Sequence, residues 1–164
     1  VVDSASPRGV EEITGLLRKS LDSLPIAPPK VQRSTAAVMT AWLAEGRAPA
    51  GFSLGDSCEL REMQEAGGVV RCRGQDLTGD EISAHLAAGK QVVKLGLVWN
   101  GRIAFMLDEA LIVRRLRFLE VVRESLRADK ADSPEAVFDA EFALMTGELA
   151  LLLPQLLEAF GGEA

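Results

Sequence analysis

Basic residues crowd into one segment of the sequence, between positions 90 and 117. They are Lys90, Lys94, Arg102, Arg114, Arg115 and Arg117. Clustered guanidinium and ammonium groups bind phosphate, and a nucleic-acid backbone favours such clusters through counterion release, without any contact to a base. The spacing therefore predicts a phosphate-binding patch on the elements that carry these side chains.

The charge distribution leaves two interpretations of this patch open. The net charge of −6 argues weakly against nucleic acid when taken alone. Residues 1–89 contain nine Lys/Arg and twelve Asp/Glu, residues 90–127 contain eight and four, and residues 128–164 contain one and eight. Either the basic middle and the acidic tail form separate faces of one fold, or the tail folds back and neutralises the basic residues.

Residues that usually carry catalysis are scarce. His85 is the only histidine, so any nucleophile and base pair would depend on it alone. Cys58 and Cys72 cannot complete a zinc site without further Cys or His ligands, and two reduced thiols are the simpler interpretation. Gly89-Lys90 lacks the hydroxyl residue and the upstream glycine of a phosphate loop. We therefore expect no catalytic residue, no metal site and no cofactor.

The elements that must position the basic residues begin with a β-hairpin. Two β-rich runs, 90–99 and 102–107, flank Asn100-Gly101, the pair that a tight turn with two positive φ angles favours. A two-residue turn places Trp99 opposite Arg102 and Gly96 opposite Phe105. In that register both faces are mostly apolar, which predicts a central hairpin covered on both sides, by helices or by a second copy of the chain. A third strand, 111–118, carries the three clustered arginines.

The remaining elements are read from caps and spacing. Ser6-Pro7 and Ser133-Pro134 each predict a helix start, the first helix ending near Asp22 and the second being the longest, kinked at Pro154. The apolar stripe of that last helix, from 138 to 160, predicts core or a subunit interface. Between the first helix and the central hairpin, the pattern predicts a helix over 35–45, a loop at 52–55 and a hairpin of 57–63 with 69–73. Thr78 and Glu81 predict a capping box for a short helix that ends at Gly89.

These elements predict an α+β fold, with an antiparallel sheet of about five strands built from two hairpins and a third, basic strand, and with helices packed against it. The Pro-rich stretch at 25–30 cannot be helical, and it predicts a boundary between an N-terminal helix with its connector, 1–30, and the main region, 31–164. The chain begins without methionine, which suggests a fragment. Two cysteines and the lack of a signal peptide favour the cytoplasm, and the longest apolar run, 149–157, is too short to span a membrane.

Several longer motifs are distinctive. They are GFSLGD at 51–56, VRCRGQDL at 70–77, HLAAGK at 85–90, RLRF at 115–118, FDAEFALMTGEL at 138–149 and GGEA at 161–164. Together these motifs resemble one known family, the recombination-associated RdgC proteins. The resemblance covers nearly the whole chain, and family chains are longer at the N-terminus.

The resemblance implies a bacterial, nucleoid-associated protein that binds double-stranded DNA with little sequence preference. It implies a ring-shaped homodimer around the duplex, which limits access of the RecA recombinase, and it implies no catalysis. Arg71, Arg73 and Gln75 match the family's basic loop, which we expect to approach DNA. Four residues of the patch match further basic positions of the family, namely Lys90, Lys94, Arg115 and Arg117.

An alternative of another class is a protein-interaction module. In that interpretation the acidic last helix binds a recombination protein directly, and the basic strand only neutralises the helix. The two hypotheses differ in salt dependence, because phosphate contacts weaken steeply with salt whereas a mainly apolar protein contact does not.

Overall fold

The computed structural model describes residues 1, 2, 4, 6–64, 67–128 and 133–164. The helices in this part of the chain are α1 (Pro7–Leu21), α2 (Thr35–Ala44), α3 (Asp80–Ala87), α4 (Glu120–Ala128) and α5 (Pro134–Ala159). The strands are β1 (Phe52–Arg61), β2 (Val69–Arg73), β3 (Gln91–Trp99), β4 (Ile103–Asp108) and β5 (Val113–Phe118). The fold is α+β, which confirms the predicted class.

The strands form one antiparallel sheet in the order β2-β1-β3-β4-β5. Both predicted hairpins are present, β1 with β2 and β3 with β4, and the basic strand β5 pairs with β4 at the edge. The long strand β1 also pairs with β3, so that β3 lies at the centre of the sheet. The prediction of a loop at 52–55 was wrong, because these residues begin β1 and pair with the end of β3.

The central hairpin has the predicted turn but not the predicted register. Asn100 and Gly101 have φ angles of 46° and 63°, and the amide of Arg102 donates to the carbonyl of Trp99 at 2.8 Å. Trp99 nevertheless lies opposite Ile103 rather than Arg102. Arg102 is therefore an extra residue of the loop, and every pair below it moves by one position, which brings Gly96 opposite Met106.

This one-residue shift changes the composition of both faces, because side chains alternate along a strand. The face against the core carries large apolar residues. They are Leu95, Leu97, Trp99, Ile103, Phe105 and Leu107. The opposite face carries small, flexible or charged residues. They are Lys94, Gly96, Val98, Ala104, Met106 and Asp108. In the described part of the chain, helices cover only the first face and two depressions lie on the second, so coverage of the second face by helices of this chain was wrong. Coverage of that face by a second copy of the chain stays a prediction.

The covered face packs on α2 and on the last turns of α5. Val38, Met39 and Trp42 of α2 are buried in the same cluster as Leu152 and Leu156 of α5. The ring of Trp42 lies 4.9 Å from that of Phe160, between ring centres. The apolar stripe of α5 is therefore core only at its C-terminal end. Its N-terminal part is exposed at Phe138, Phe142 and Met145.

Serine caps begin three helices. Ser6, Ser34 and Ser133 each accept a hydrogen bond from an amide three residues later, which confirms the two predicted Ser-Pro starts. The capping box predicted at Thr78 and Glu81 was wrong. Gly79 precedes α3 without a side-chain cap, and the Thr78 hydroxyl donates instead to Asp76 at 2.7 Å. Thr78 thus stabilises the loop before the helix.

The chain returns to its own C-terminus after the Pro-rich stretch. Val31 pairs with Glu163 in a β-bridge, and the amide of Arg33 donates to the carbonyl of Phe160 at 3.1 Å. Before that stretch, α1 has one buried residue, Thr14, and its apolar stripe is exposed. The division at residue 30 stays a prediction. Among the described residues, no helix has the length and apolarity needed to cross a membrane.

Two glycines lie against each other where β1 bulges beside β3. A Cβ added to Gly96 would lie 3.0 Å from the carbonyl oxygen of Ser57, and one added to Gly55 would lie 3.0 Å from the carbonyl carbon of Gly96. The neighbours are backbone atoms that cannot rotate away. We expect Gly96→Ala to lower the free energy of unfolding by about 1–3 kcal/mol, measured by urea denaturation.

Gly147→Ala is the matched control, because Gly147 lies in α5 with open space around its Cα. It should raise the free energy of unfolding by about 0.4–1 kcal/mol through the lower entropy of the unfolded chain. Equal effects of the two substitutions would show that the close approach of β1 and β3 is not a constraint.

Candidate functional site

The open face of the sheet gathers most of the predicted basic residues, and we call it the cationic face. Its basic side chains come from β2, β3 and β5. They are Arg71, Arg73, Lys94, Arg114, Arg115 and Arg117. Two depressions lie on this face. The large cleft has a volume of about 1170 Å³, and the small cavity beside it has a volume of about 160 Å³.

The cationic face brings together the two edges of the sheet. Arg73 lies on β2, at one edge, and Arg115 lies on β5, at the other, yet both line the large cleft and both line the small cavity. Bulges in β1, β3 and β5 increase the twist and bend of the strands. The curled sheet thereby places two arginines that are far apart in strand order around one concave surface.

A bulge in β5 sets the direction of Arg115. Arg114 pairs with Met106 and Arg117 pairs with Ala104, so two residues of β5 lie opposite one residue of β4. Arg115 has a φ of 52°, which side chains larger than glycine seldom adopt. In a regular strand Arg114 and Arg115 would point to opposite faces. Here both line the small cavity, and Arg115 and Arg117 both line the large cleft.

Glu59 is the acidic centre of the cationic face. Its carboxylate is buried and accepts hydrogen bonds from Arg71 Nε at 2.9 Å and from Lys94 Nζ at 3.0 Å. Burial alone would raise the pKa of Glu59, but the hydrogen bonds from Arg71 and Lys94 outweigh it and hold this pKa below its usual value. Glu59 therefore stays ionised and fixes two cations in place.

Asp108, at the end of β4, is a second buried carboxylate, and it holds a cation of β5. Its Oδ1 accepts from the amides of Ala110 and Ile112, each at 3.0 Å, and its Oδ2 accepts from Arg114 Nε at 2.9 Å. One buried carboxylate thus closes the turn between β4 and β5 and orients the first arginine after it. Glu59 and Asp108 were both missed as site residues, because a single carboxylate at a strand position does not indicate a site.

Gln75, Arg73, Arg115 and Arg117 line the large cleft from its two sides. The carboxylates Asp56 and Asp76 also line it, and glycine and apolar residues form much of the surface between the basic side chains. These residues include Gly55, Gly96, Val98, Ala104 and Met106. Gly55 and Gly96 were also missed as site residues, and their spacing in the sequence does not show that they meet.

Two of the predicted residues line neither depression. Lys90 lies 3.7 Å from Glu62. Arg102 forms a bidentate ion pair with Glu148 of α5. Its Nε donates to Oε2 at 2.8 Å and its Nη2 donates to Oε1. The interpretation in which the acidic tail neutralises the basic residues therefore holds for Arg102. In the part of the chain that the structure describes, the other predicted cations form no ion pair with α5.

The two cysteines lie directly opposite each other on β1 and β2, and both are buried as free thiols. Burial, together with the neighbouring Cys72, raises the pKa of Cys58 to about 12. A protonated Cys58 thiol is a poor nucleophile and a poor metal ligand. Both cysteines pack in the hydrophobic core.

Comparison with known proteins places the whole chain in one group. A family model described as "Putative exonuclease, RdgC" matches residues 1–163. A recombination-associated protein RdgC of Psychromonas ingrahamii is 47% identical over 99% of this chain and 54% of its own length. Those of Proteus mirabilis and Pseudomonas putida are 46% and 43% identical, over 54% and 53% of their lengths. The chain spans about half the length of the curated relatives it matches.

The ion pair of Arg102 with Glu148 predicts a pH dependence. The hydrogen bond from Arg102 lowers the pKa of the buried Glu148 below its ordinary value of 4.5, despite burial. Because the pKa of Glu148 is lower in the folded state than in the unfolded state, the ionised carboxylate stabilises the fold at pH values above the unfolded-state pKa. This stabilisation is lost as the pH falls through the folded-state pKa. We expect Glu148→Gln to lower the free energy of unfolding at neutral pH by about 1–3 kcal/mol.

The difference between wild type and Glu148→Gln should shrink as the pH falls from about 5 to about 3, measured by urea denaturation at each pH. Glu141→Gln, on the same helix but exposed, is the matched control and should change little. A difference that does not change with pH would show that the pair contributes through shape rather than through charge.

Proposed function

This chain belongs to the RdgC family, and from that premise we propose that it is a sequence-independent double-stranded DNA-binding protein. The observation that carries the proposal is the cationic face, where Arg73, Arg115 and Arg117 surround one concave cleft. In the described part of the chain none of these three arginines forms an ion pair, so each is available to a phosphate.

The composition of the cleft favours backbone contact over base readout. Guanidinium groups bind phosphate oxygens in pairs of hydrogen bonds, whereas a base is read by side chains that enter a groove. Strand residues and loop residues line the cleft, and no residue of a described helix does. A phosphate backbone lying across the two arginine-bearing edges fits this arrangement.

The net charge of −6 is compatible with this proposal because the described acidic residues of the C-terminal segment do not line the cleft, whose own carboxylates are Asp56 and Asp76. Five of the eight Asp/Glu of residues 128–164 belong to α5, at 135, 139, 141, 148 and 158. Of these, Glu148 is buried against Arg102 and the other four are exposed. A protein with a cationic inner surface and an acidic outer surface binds duplex DNA while keeping the two charges apart.

We extend the proposal to the whole family protein: a ring-shaped homodimer that encircles duplex DNA, associates with the nucleoid in the cytoplasm and restrains recombination by limiting access of RecA. The names of the relatives support the link to recombination. A ring needs positive charge on the inner surface, which the concave cationic face supplies.

We further propose binding without catalysis. Nucleases commonly hold divalent metals on clustered carboxylates and histidines. No group of three or more His, Cys, Asp or Glu in the described ranges has the geometry to hold a metal ion. The buried carboxylates Glu59 and Asp108 are each engaged by arginine, which supports a positioning role.

A protein-interaction module is the second candidate. The exposed part of α5 carries Phe138 and Phe142, whose stacked rings lie 6.2 Å apart between centres, among exposed acidic residues. Exposed aromatic pairs are typical of protein contacts. This candidate predicts that a recombination protein binds α5 and that the cationic face is dispensable for the activity.

The two candidates are separated by binding to random-sequence linear duplex DNA across a salt series. We expect Arg115→Gln/Arg117→Gln to weaken binding by about tenfold or more and to make the slope of log K against log salt shallower by about 1.8, since each lost phosphate contact removes about 0.9. The duplex should keep its length in the presence of Mg²⁺.

Arg8→Gln/Lys19→Gln is the matched control. It removes the same charge from α1, where both side chains are exposed and outside the cleft. Its slope should remain that of the wild type apart from a small change in net charge. Binding that both double variants weaken equally, or no binding at low salt by the folded chain, would favour the protein-interaction candidate.

The ring is tested with the longer family protein that contains this region. Protein loaded on a closed circular duplex should resist a challenge with high salt and should leave when the circle is cut, because a ring slides off an end. Equal dissociation from circular and linear DNA would contradict encirclement while leaving DNA binding intact.

A further inference from the structure

The small cavity on the cationic face is lined mainly by positively charged side chains. Five cations and one carboxylate line it. They are Arg71, Arg73, Lys94, Arg114, Arg115 and Glu59. Arg71 and Lys94 share Glu59, and Arg114 is engaged by Asp108. Arg73 and Arg115 have no ion-pair partner among the described residues.

In the described part of the chain, two carboxylates, Glu59 and Asp108, form ion pairs with cations of this cavity, and neither forms one with Arg73 or Arg115. Like charges converging on a recess repel one another unless an anion lies between them, and a recess is screened by solvent less than an open surface. The fold places the cations there by two costly means, the positive φ of Arg115 and the burial of Glu59. A positive φ at a residue that is not glycine often marks a functional position.

The size of the cavity limits what it can bind. Cavities that enclose a whole small-molecule ligand usually measure about 300–1,000 Å³. At about 160 Å³, the small cavity fits one chemical group with a few waters rather than a nucleotide. Guanidinium groups approaching from two sides match the oxygens of a tetrahedral oxyanion, and the surplus of positive charge matches a dianion.

We propose that the small cavity is a binding site for a phosphate group, with Arg73 and Arg115 as its principal hydrogen-bond donors. DNA is the source of the phosphate if the proposed function holds, and inorganic phosphate is the other source. Glu59 has two opposed effects in this site. It orients Arg71 and Lys94, and its charge weakens the attraction for a bound anion.

The test is titration of the chain with inorganic phosphate. Binding is measured by calorimetry and by the NMR signals of the arginine Nε–H groups. Chloride is adjusted to keep the ionic strength constant, which removes the general effect of salt. We expect saturable binding. Arg73→Gln/Arg115→Gln should weaken it at least tenfold, and Arg73→Gln alone, an exposed and unpaired position, should weaken it severalfold without affecting the fold.

Glu59→Gln should strengthen phosphate binding severalfold, because it removes the one negative charge that lines the cavity while keeping a side chain of the same shape. Arg8→Gln/Lys19→Gln should leave binding unchanged. Absence of saturable binding by the wild type would overturn the proposal, as would equal binding by wild type and Arg73→Gln/Arg115→Gln.

Duplexes with 5′-phosphate and with 5′-hydroxyl ends identify the source. Tighter binding of the phosphorylated duplex, lost in Arg73→Gln/Arg115→Gln, assigns the cavity to a DNA end. Equal binding of both duplexes, with competition by inorganic phosphate, assigns it to the DNA backbone. Saturable phosphate binding without duplex binding supports the cavity and contradicts the proposed function. Duplex binding without saturable phosphate binding contradicts the cavity alone.

Discussion

Two buried carboxylates, Glu59 and Asp108, make the cationic face possible. Without them Arg71, Lys94 and Arg114 would repel one another on a surface partly shielded from water. Glu59 lies on β1 and Asp108 at the end of β4, each beside the edge strand that carries the arginines. The acidic residues are thus set one strand in from the positive edges, and they fix some cations while leaving others to the solvent.

This arrangement divides the cations into those that pair with a carboxylate and those that do not. Those next to a carboxylate are held in one place and shape the surface, whereas Arg73, Arg115 and Arg117 extend over the two depressions. Arg102 does not belong to the cationic face. It is the extra residue of the hairpin loop, and in that position it pairs with Glu148 on α5. That contact, together with the hydrogen bond from Trp99 Nε1 to Gln155 Oε1 at 3.1 Å, ties α5 to the central hairpin. The acidic helix therefore stabilises the sheet from outside the cationic face.

The curvature of the sheet brings basic residues from its two edges into one site. In a flat sheet of five strands, β2 and β5 would lie about 19 Å apart, since neighbouring strands are separated by about 4.8 Å. Arg73 and Arg115 nevertheless line the same cavity. The bulges in β1, β3 and β5, with Gly55 and Gly96 in backbone contact, allow the bending that closes this gap. The concave shape is also what the proposed binding of duplex DNA requires.

The sequence by itself determined the local structure: the Ser-Pro helix starts, the positive-φ turn at Asn100-Gly101, both hairpins and the basic strand all follow from short-range preferences of the backbone. The family was also evident from motifs along the chain. Only the tertiary structure decided the register of the central hairpin, because one extra loop residue leaves the turn unchanged and moves every side chain below it to a new partner. It likewise decided which cations are paired and which are available. Ion pairs join Arg71 with Glu59 and Arg102 with Glu148 across 12 and 46 positions, and such contacts depend on how the sheet curls rather than on any pattern that neighbouring residues display.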